Sequence, residues 1–379
     1  MPPIARSRRP STIRSILVLL GGLIVILPVI GWTDKSKDPK TAFIVLACAL
    51  ALTIIVHELG HLSAGWMVGF RFNTIHLGPF SLGVEHGRLK MRVRREMLAA
   101  GATGMHVRTV RRLRRRLLFF TMGGPLANMV SVPITVVLVN HVFPQFANTP
   151  LGALAAQFTV FSLISAMVNL MPIRSGVLLS DGARIEMLLR SRERGRRWLS
   201  IAAVGKLHDE GVRPRDWRRT WLNAAASVCD VSLETSMGNW LAYVSTSDRK
   251  DGRSAVVHLE RCLESTGKMP VSIRDLVAQE AAFFSAWFRN DGPLADKWFT
   301  QVKKPRLMQK LVRLRLEVAM CCAHGDYDTA DLAWQRGLAF IETATAGSAQ
   351  FRLRESWLEW QVEIRERQAQ QPHLLSDAT

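Results

Sequence analysis

The sequence predicts a mainly α-helical, polytopic membrane protein in two parts. Long apolar runs fill the first half of the 379 residues, and a formal net charge of +19 is concentrated largely in their flanks. From about Ser191 the sequence is polar, rich in Arg and Trp, and patterned for helices. We therefore predict about four transmembrane helices with a small β-rich cytosolic or interfacial loop in residues 1–190. An all-α domain of helical repeats or a helical bundle is predicted in residues 191–379.

Four segments are long and apolar enough to span a bilayer core of about 30 Å, which takes roughly 20 helical residues. They are residues 13–32, 41–67, 117–143 and 151–172. The first follows a basic start and has a cleaved signal peptide as its alternative. Its apolar run is longer than a usual signal sequence, and no small-x-small cleavage site follows it. We interpret it as a retained anchor.

Charge asymmetry orients these segments. The loop between the second and third spans is rich in Arg, whereas residues 33–40 have mixed charge and residues 144–150 have none. Positive loops stay on the cytosolic side, so both termini are predicted to be cytosolic, in a bacterial cytoplasmic membrane. Topology thus accounts for the basic residues, and no nucleic-acid partner is expected. The five cysteines lack metal-binding spacing, which indicates a reduced setting.

The basic loop contains strand signals. Residues 70–93 alternate short apolar and polar runs, broken by Gly78-Pro79 and His86-Gly87, which predicts two or three strands joined by turns. Residues 97–110 are apolar and Gly-rich with weak periodicity. We expect them to lie at the membrane surface.

The second span contains His57, Glu58 and His61. The two histidines are four residues apart and share one face of a helix, where two imidazoles can bind one Zn²⁺. Glu58 can take a proton from a water activated by the metal and deliver it to a leaving amine. A helix face with two satisfied histidines is the alternative, but ionisable groups inside a span favour a functional site. His57 lies about 24 Å along its helix, within the bilayer and nearer the cytosolic face.

Two further polar positions are candidates for this site. Asp181 follows the fourth span and can supply the third ligand that zinc needs, or simply serve a turn or cap the helix of residues 183–189. Asn128 places an amide inside the third span, three residues after Pro125. Its alternative role is an interhelical hydrogen bond beside a kink.

Residues 41–186 resemble the site-2 protease family of intramembrane zinc metalloproteases. Three motifs in order carry the resemblance: His57-Glu58-Leu59-Gly60-His61, then Gly124-Pro125-Leu126-Ala127-Asn128, then Asn169-Leu170-Met171-Pro172 leading to Asp181-Gly182. The chain departs from the family in residues 174–180, which form a longer approach to the Asp, with Ser180 in place of the usual Leu.

The resemblance implies a site and an activity. One Zn²⁺ per chain would be held by His57, His61 and Asp181, with Glu58 as the catalytic base. Asn128 would steady the substrate backbone or the oxyanion. The substrate would be a membrane-embedded segment of another protein, cleaved in or near its transmembrane region. This reading makes the chain a metalloendopeptidase.

Three turns suggest helix pairs in the second half. They lie near Asp251-Gly252, Asp291-Gly292 and Gly325-Asp326, at spacings close to those of two-helix repeats of 34–40 residues. The pattern resembles tetratricopeptide-like repeats, with an irregular bundle as the alternative. Stacked helix pairs hold peptides or proteins, so a protein partner is expected here. The tryptophans of this half are expected to pack between helices.

Two rival functions remain. A non-catalytic membrane scaffold would combine a structural metal site with partner-binding repeats, but a purely structural site has no use for Glu58 as a base. A membrane-anchored zinc peptidase of the soluble type would need its third ligand on an exposed domain. No second His or Glu motif follows at suitable spacing.

Overall fold

The computed structural model describes residues 38–85, 88–93, 101–175, 178–227, 232–265, 269, 271–303, 305, 309–344 and 348–370. The protein is mainly helical with a small antiparallel sheet, as predicted. The described residues up to Lys206 belong to one compact unit, and those from Leu207 onward belong to a second. The predicted span at residues 13–32 lies outside the described residues.

Three helices of the first unit are long and apolar enough to cross a membrane. Helix α1 is Pro39–Met67, α2 is Leu113–Val137 with a π-helical extension Leu138–Val142, and α3 is Pro150–Leu170. They coincide with the predicted spans at residues 41–67, 117–143 and 151–172. Proline in the first turn of α1 and α3 suits positions whose N–H groups have no helical partner.

Helices α1 and α2 cross at very short range. Gly60 on α1 faces Gly123 on α2, and a Cβ on either residue would overlap the backbone of the other helix. Helix α3 packs beside α1, where Ala49 meets Phe158 and Phe161 in a small apolar cluster. Small residues that let helix backbones approach are the usual basis of helix association in apolar surroundings.

The sheet follows α1 directly. Its strands are β1 (Arg71–Leu77), β2 (Phe80–Glu85), β3 (Arg88–Val93) and β4 (Gly101–His106), in the antiparallel order β3-β2-β1-β4. The first three match the strand signals in the sequence. Strand β4 was not predicted, because glycines weaken strand propensity and its pairing with β1 is non-local.

A short hairpin separates α3 from the next helix. Its strands are β5 (Arg174–Ser175) and β6 (Leu178–Leu179), paired in antiparallel fashion. Helices α4 (Asp181–Arg190) and α5 (Arg192–Asp209) follow. This hairpin lies within residues 174–180, the longer approach to Asp181 noted in the sequence.

The second unit is built of helices. They are α6 (Arg219–Ala225), α7 (Leu233–Asp248), α8 (Gly252–Ser265), α9 (Val271–Arg289), α10 (Gly292–Phe299), α11 (Lys310–Ala323), α12 (Tyr327–Ala344) and α13 (Ser348–Gln370). Helices α7 and α8, α9 and α10, and α11 and α12 form three helical hairpins, with their turns at the places predicted from the sequence.

The three hairpins share one turn. A left-handed residue (Lys250, Asn290 or Gly325, with φ of 62°, 52° and 79°) is followed each time by Asp. The carboxylates of Asp251, Asp291 and Asp326 accept the backbone N–H three residues later at 3.0, 2.9 and 3.0 Å. Each Asp therefore caps the second helix of its hairpin.

Tryptophans fill the core of the second unit, as expected. Trp287, Trp357 and Trp360 meet in edge-to-face contacts. Trp334 and Trp357 each donate the indole N–H to the other's backbone carbonyl, at 3.0 and 2.9 Å. These bonds satisfy polar atoms that burial would otherwise leave without partners.

The shared turn gives a testable prediction. Replacing Asp291 with Ala removes the cap of α10 and should lower the free energy of unfolding by about 1 kcal/mol. Asp291→Asn keeps an acceptor and should stay close to wild type. Tryptophan fluorescence during thermal unfolding of the full chain measures both variants, and equal losses would show that the side-chain acceptor does not stabilise the turn.

Candidate metal centre

Three ligand atoms from distant parts of the chain converge on one point. Nε2 of His57 lies 3.1 Å from Oδ2 of Asp181, and Nε2 of His61 lies 3.3 Å from the same oxygen. The two Nε2 atoms are 3.2 Å apart. The structure thus brings together the two histidines of α1 and the aspartate that begins α4.

These distances fit a tetrahedral zinc site. Ligand atoms about 2.0–2.1 Å from a tetrahedral metal lie roughly 3.3–3.4 Å from one another. The observed separations of 3.1, 3.2 and 3.3 Å are close to that spacing. Two nitrogens and one oxygen also form the kind of three-ligand set that catalytic zinc sites use, which leaves a fourth position open.

Burial and charge agree with this interpretation. His57, His61 and Asp181 expose 8%, 7% and 6% of their surface. Burial by itself raises the pKa of the Asp181 carboxyl, but hydrogen bonds from the two imidazoles and their charge hold it well below its usual range. The group is therefore a carboxylate, the form in which Asp binds a metal.

Ser180 brings Asp181 to the site. Its hydroxyl donates to the carbonyl of Met171 at 2.5 Å and accepts the N–H groups of Ile173 and Ala183 at 3.0 and 3.1 Å. Ser180, not Asp181, is thus the side-chain cap of α4. Because β5 and β6 pair with each other, Ser180 lies next to the end of α3, although residues 174–180 make the approach to Asp181 longer.

Helix α2 orients His61. The Nδ1 atom of His61 lies 2.9 Å from the carbonyl oxygen of Phe120, close enough to donate its hydrogen. A carbonyl oxygen can only accept, so this contact needs a proton on Nδ1, and loss of the proton on Nε2 would then let that atom bind a metal. Gly124 makes this approach possible, because a Cβ there would lie 2.5 Å from Nε2 of His61 and 2.7 Å from Nε2 of His57.

Asn128 contacts the other histidine. Its side chain is fully buried, with the amide nitrogen 3.3 Å from Nδ1 of His57 and 3.0 Å from the hydroxyl of Ser165. Oδ1 of Asn128 is buried without a hydrogen-bond partner among the described residues. A half-turn of the amide exchanges the two atoms and lets Oδ1 accept from His57 Nδ1 and from Ser165. This arrangement suits a His57 that binds metal through Nε2.

Glu58 lies beside the ligands on α1 and is 4% exposed. Its carboxylate accepts a hydrogen bond of 2.7 Å from the hydroxyl of Thr103 on β4. Thr103 and Ser165 were not identified from the sequence. Ser165 interrupts an apolar span and carried a weak signal, whereas only the pairing of β4 with β1 brings Thr103 to Glu58.

Comparisons with protein-family models, with curated proteins and with solved structures give no match. The function proposed for this chain therefore rests on its own residues and their geometry.

The close approach of α1 and α2 can be tested with two matched substitutions. Gly124→Ala places a methyl group against both ligand nitrogens and should reduce bound zinc well below one ion per chain. Gly205→Ala lies in α5, where a Cβ meets nothing within 4 Å, and should leave zinc content unchanged. Elemental analysis of the purified proteins measures both, and full zinc occupancy in the Gly124 variant would contradict the site geometry.

A substitution of Asn128 can distinguish a role in orienting His57 from a role in contacting the oxyanion. If its amide orients His57, Asn128→Ala should weaken zinc binding roughly 10–100-fold, as loss of an outer-shell partner does. Competition with a chromogenic chelator measures this affinity. Unchanged affinity together with slower cleavage would instead favour the predicted contact between Asn128 and the oxyanion.

Proposed function

We propose that this chain is a zinc-dependent intramembrane endopeptidase, similar to the site-2 proteases, that cleaves membrane-protein substrates. The convergence of His57, His61 and Asp181 on one point carries the proposal. It occurs in the unit that contains three helices of membrane-spanning length.

A bilayer around this unit accounts for its surface. Many large apolar side chains of the three helices are exposed, as lipid contact requires and as water disfavours. They include Phe43, Ile44, Trp66, Met129, Val130, Ile134, Leu151, Leu163 and Met167. We propose a multi-pass protein of the bacterial cytoplasmic membrane with both termini in the cytosol, as the positive loops predict.

Each site residue has a role in peptide hydrolysis. His57, His61 and Asp181 would hold one Zn²⁺ per chain. When bound, the ion supplies a Lewis acid that polarises a carbonyl and lowers the pKa of a water to near 7. Glu58 would take a proton from the attacking water as the water oxygen adds to the peptide carbonyl carbon. The same carboxyl then passes the proton to the amide nitrogen as the C–N bond breaks.

Burial of the site restricts the substrate. Glu58 and the three ligands are nearly inaccessible, so bulk water reaches them poorly and a folded soluble protein does not fit. A transmembrane segment can approach between the helices, but its own helical hydrogen bonds cover the scissile bond. The segment must therefore unwind locally before it is cut.

The second unit fits a recruiting role in this proposal. Its three helical hairpins present the kind of surface that binds peptides or protein partners. A partner bound there would select or deliver the membrane substrate.

The direct test replaces the base and a ligand separately. Glu58→Gln should retain one zinc per chain and lower kcat by about 10²–10⁴-fold, the usual contribution of a general base. Asp181→Asn should lose both zinc and activity. Glu264→Gln removes an exposed carboxylate on α8 and serves as the control.

The substrate for this test comes from the Glu58→Gln variant itself. Crosslinking in membranes followed by mass spectrometry identifies the proteins it traps, and wild-type protein in lipid vesicles is then expected to cleave them inside or beside a transmembrane segment. If Glu58→Gln supports full function in the cell, the metal site is structural and the scaffold alternative holds.

A further inference from the structure

Strand β4 touches the proposed catalytic base. Thr103 donates its hydroxyl to Oε2 of Glu58 at 2.7 Å, and the same hydroxyl lies 3.2 Å from the backbone carbonyl of Glu58. A buried carboxylate without a partner is costly, and the hydroxyl of Thr103 supplies Glu58 with one. Thr103 is partly buried.

A second residue of β4 shapes the same space. Gly101 lies two positions before Thr103, so a side chain at that position would project from the same face of the strand. A Cβ at Gly101 would overlap Oε1 of Glu58 and lie 2.9 Å from Cγ and Cδ. On β4, the Thr103 hydroxyl therefore contacts Oε2 of Glu58, and the absence of a side chain at Gly101 leaves space for Oε1.

The sheet holds both residues in place. Thr103 pairs with Ile75 and Gly101 with Leu77 on β1. Strand β1 starts directly after α1, where the N–H of Phe70 bonds to the carbonyl of Gly65. The distance from β4 to Glu58 is thus set by backbone hydrogen bonds that run back to the helix carrying Glu58.

We infer that Thr103 is a positioning residue that holds the Glu58 carboxylate in its proton-accepting orientation. This inference rests on the proposed function. With Oε2 engaged by Thr103, Oε1 accepts the proton that the attacking water loses, and the carboxyl later returns it to the leaving amide nitrogen as the C–N bond breaks. Gly101 keeps the space that Oε1 needs for this transfer.

Two substitutions at one position test the hydroxyl. Thr103→Val keeps the β-branched shape and removes the donor, and should lower kcat roughly 10–100-fold because a misplaced base loses much of its effect. KM and zinc content should stay close to wild type. Thr103→Ser restores the hydroxyl and should recover most of the activity. Thr74→Val, on the opposite face of the sheet, is the matched control.

A measurement without turnover checks the contact itself. Thr103→Val should lower the melting temperature of the full-length protein by a few degrees in the wild-type background, but much less in a Glu58→Ala background. Gly101→Ala offers a second route. It displaces the carboxylate without touching the hydroxyl, and should also lower kcat while zinc is retained.

The outcomes separate the two claims. Wild-type kcat in Thr103→Val, or a loss that Thr103→Ser fails to rescue, overturns the positioning role while the protease stands. If the wild-type protein cleaves no trapped substrate, the proposed function fails and the positioning role fails with it. Thermal coupling between Thr103 and Glu58 would then show only a structural contact.

Discussion

The proposed metal centre depends on how closely α1 and α2 approach each other. At Gly60 and Gly123 the two backbones meet with no side chain between them. Gly124, one residue further, leaves the space into which both imidazoles extend. The 2.9 Å contact between His61 Nδ1 and the carbonyl oxygen of Phe120 depends on this close approach. Packing of the smallest residues therefore sets the geometry of the proposed site.

Every ionisable group of the centre is buried, and each has a partner. Asp181 faces two imidazoles, His61 meets a backbone carbonyl, and Glu58 accepts from Thr103. In apolar surroundings an unpaired charge costs several kcal/mol. The partners come from two other helices and a strand, so the fold of the whole unit stabilises the centre. Loss of one of these contacts should therefore weaken the neighbouring contacts as well.

Local patterns in the sequence revealed much of this arrangement. The spacing of His57 and His61 is a helical property, and helix α1 preserves it. Glycine-bearing turns near Asp251-Gly252, Asp291-Gly292 and Gly325-Asp326 predicted the helix pairs, because turn residues signal a chain reversal within a few positions of sequence. The alternating apolar and polar residues of 70–93, broken by turn residues, likewise predicted β1, β2 and β3.

What escaped prediction depends on contacts between distant segments. Strand β4 has weak propensity and exists because β1 is there to pair with it. The contact between Thr103 and Glu58 follows from that pairing. Local sequence could not show whether Asp181 caps α4 or lies beside the two histidines, since its position depends on the hydrogen bonds of Ser180 to Met171 and Ile173.

Because of the hairpin β5–β6, the position of Asp181 does not depend on the number of residues between α3 and α4. Hydrogen bonds from Ser180 to Met171 and Ile173 hold together the two ends of the segment that contains the hairpin. Residues can therefore be inserted between Ile173 and Ser180 without moving the carboxylate of Asp181. We expect insertions and deletions between Ile173 and Ser180 to change the proposed metal binding little, whereas loss of the Ser180 hydrogen bonds should weaken it. Proteins with the same centre can therefore differ in motif spacing here. They are better recognised by the three-dimensional arrangement of their ligands than by a fixed count of residues.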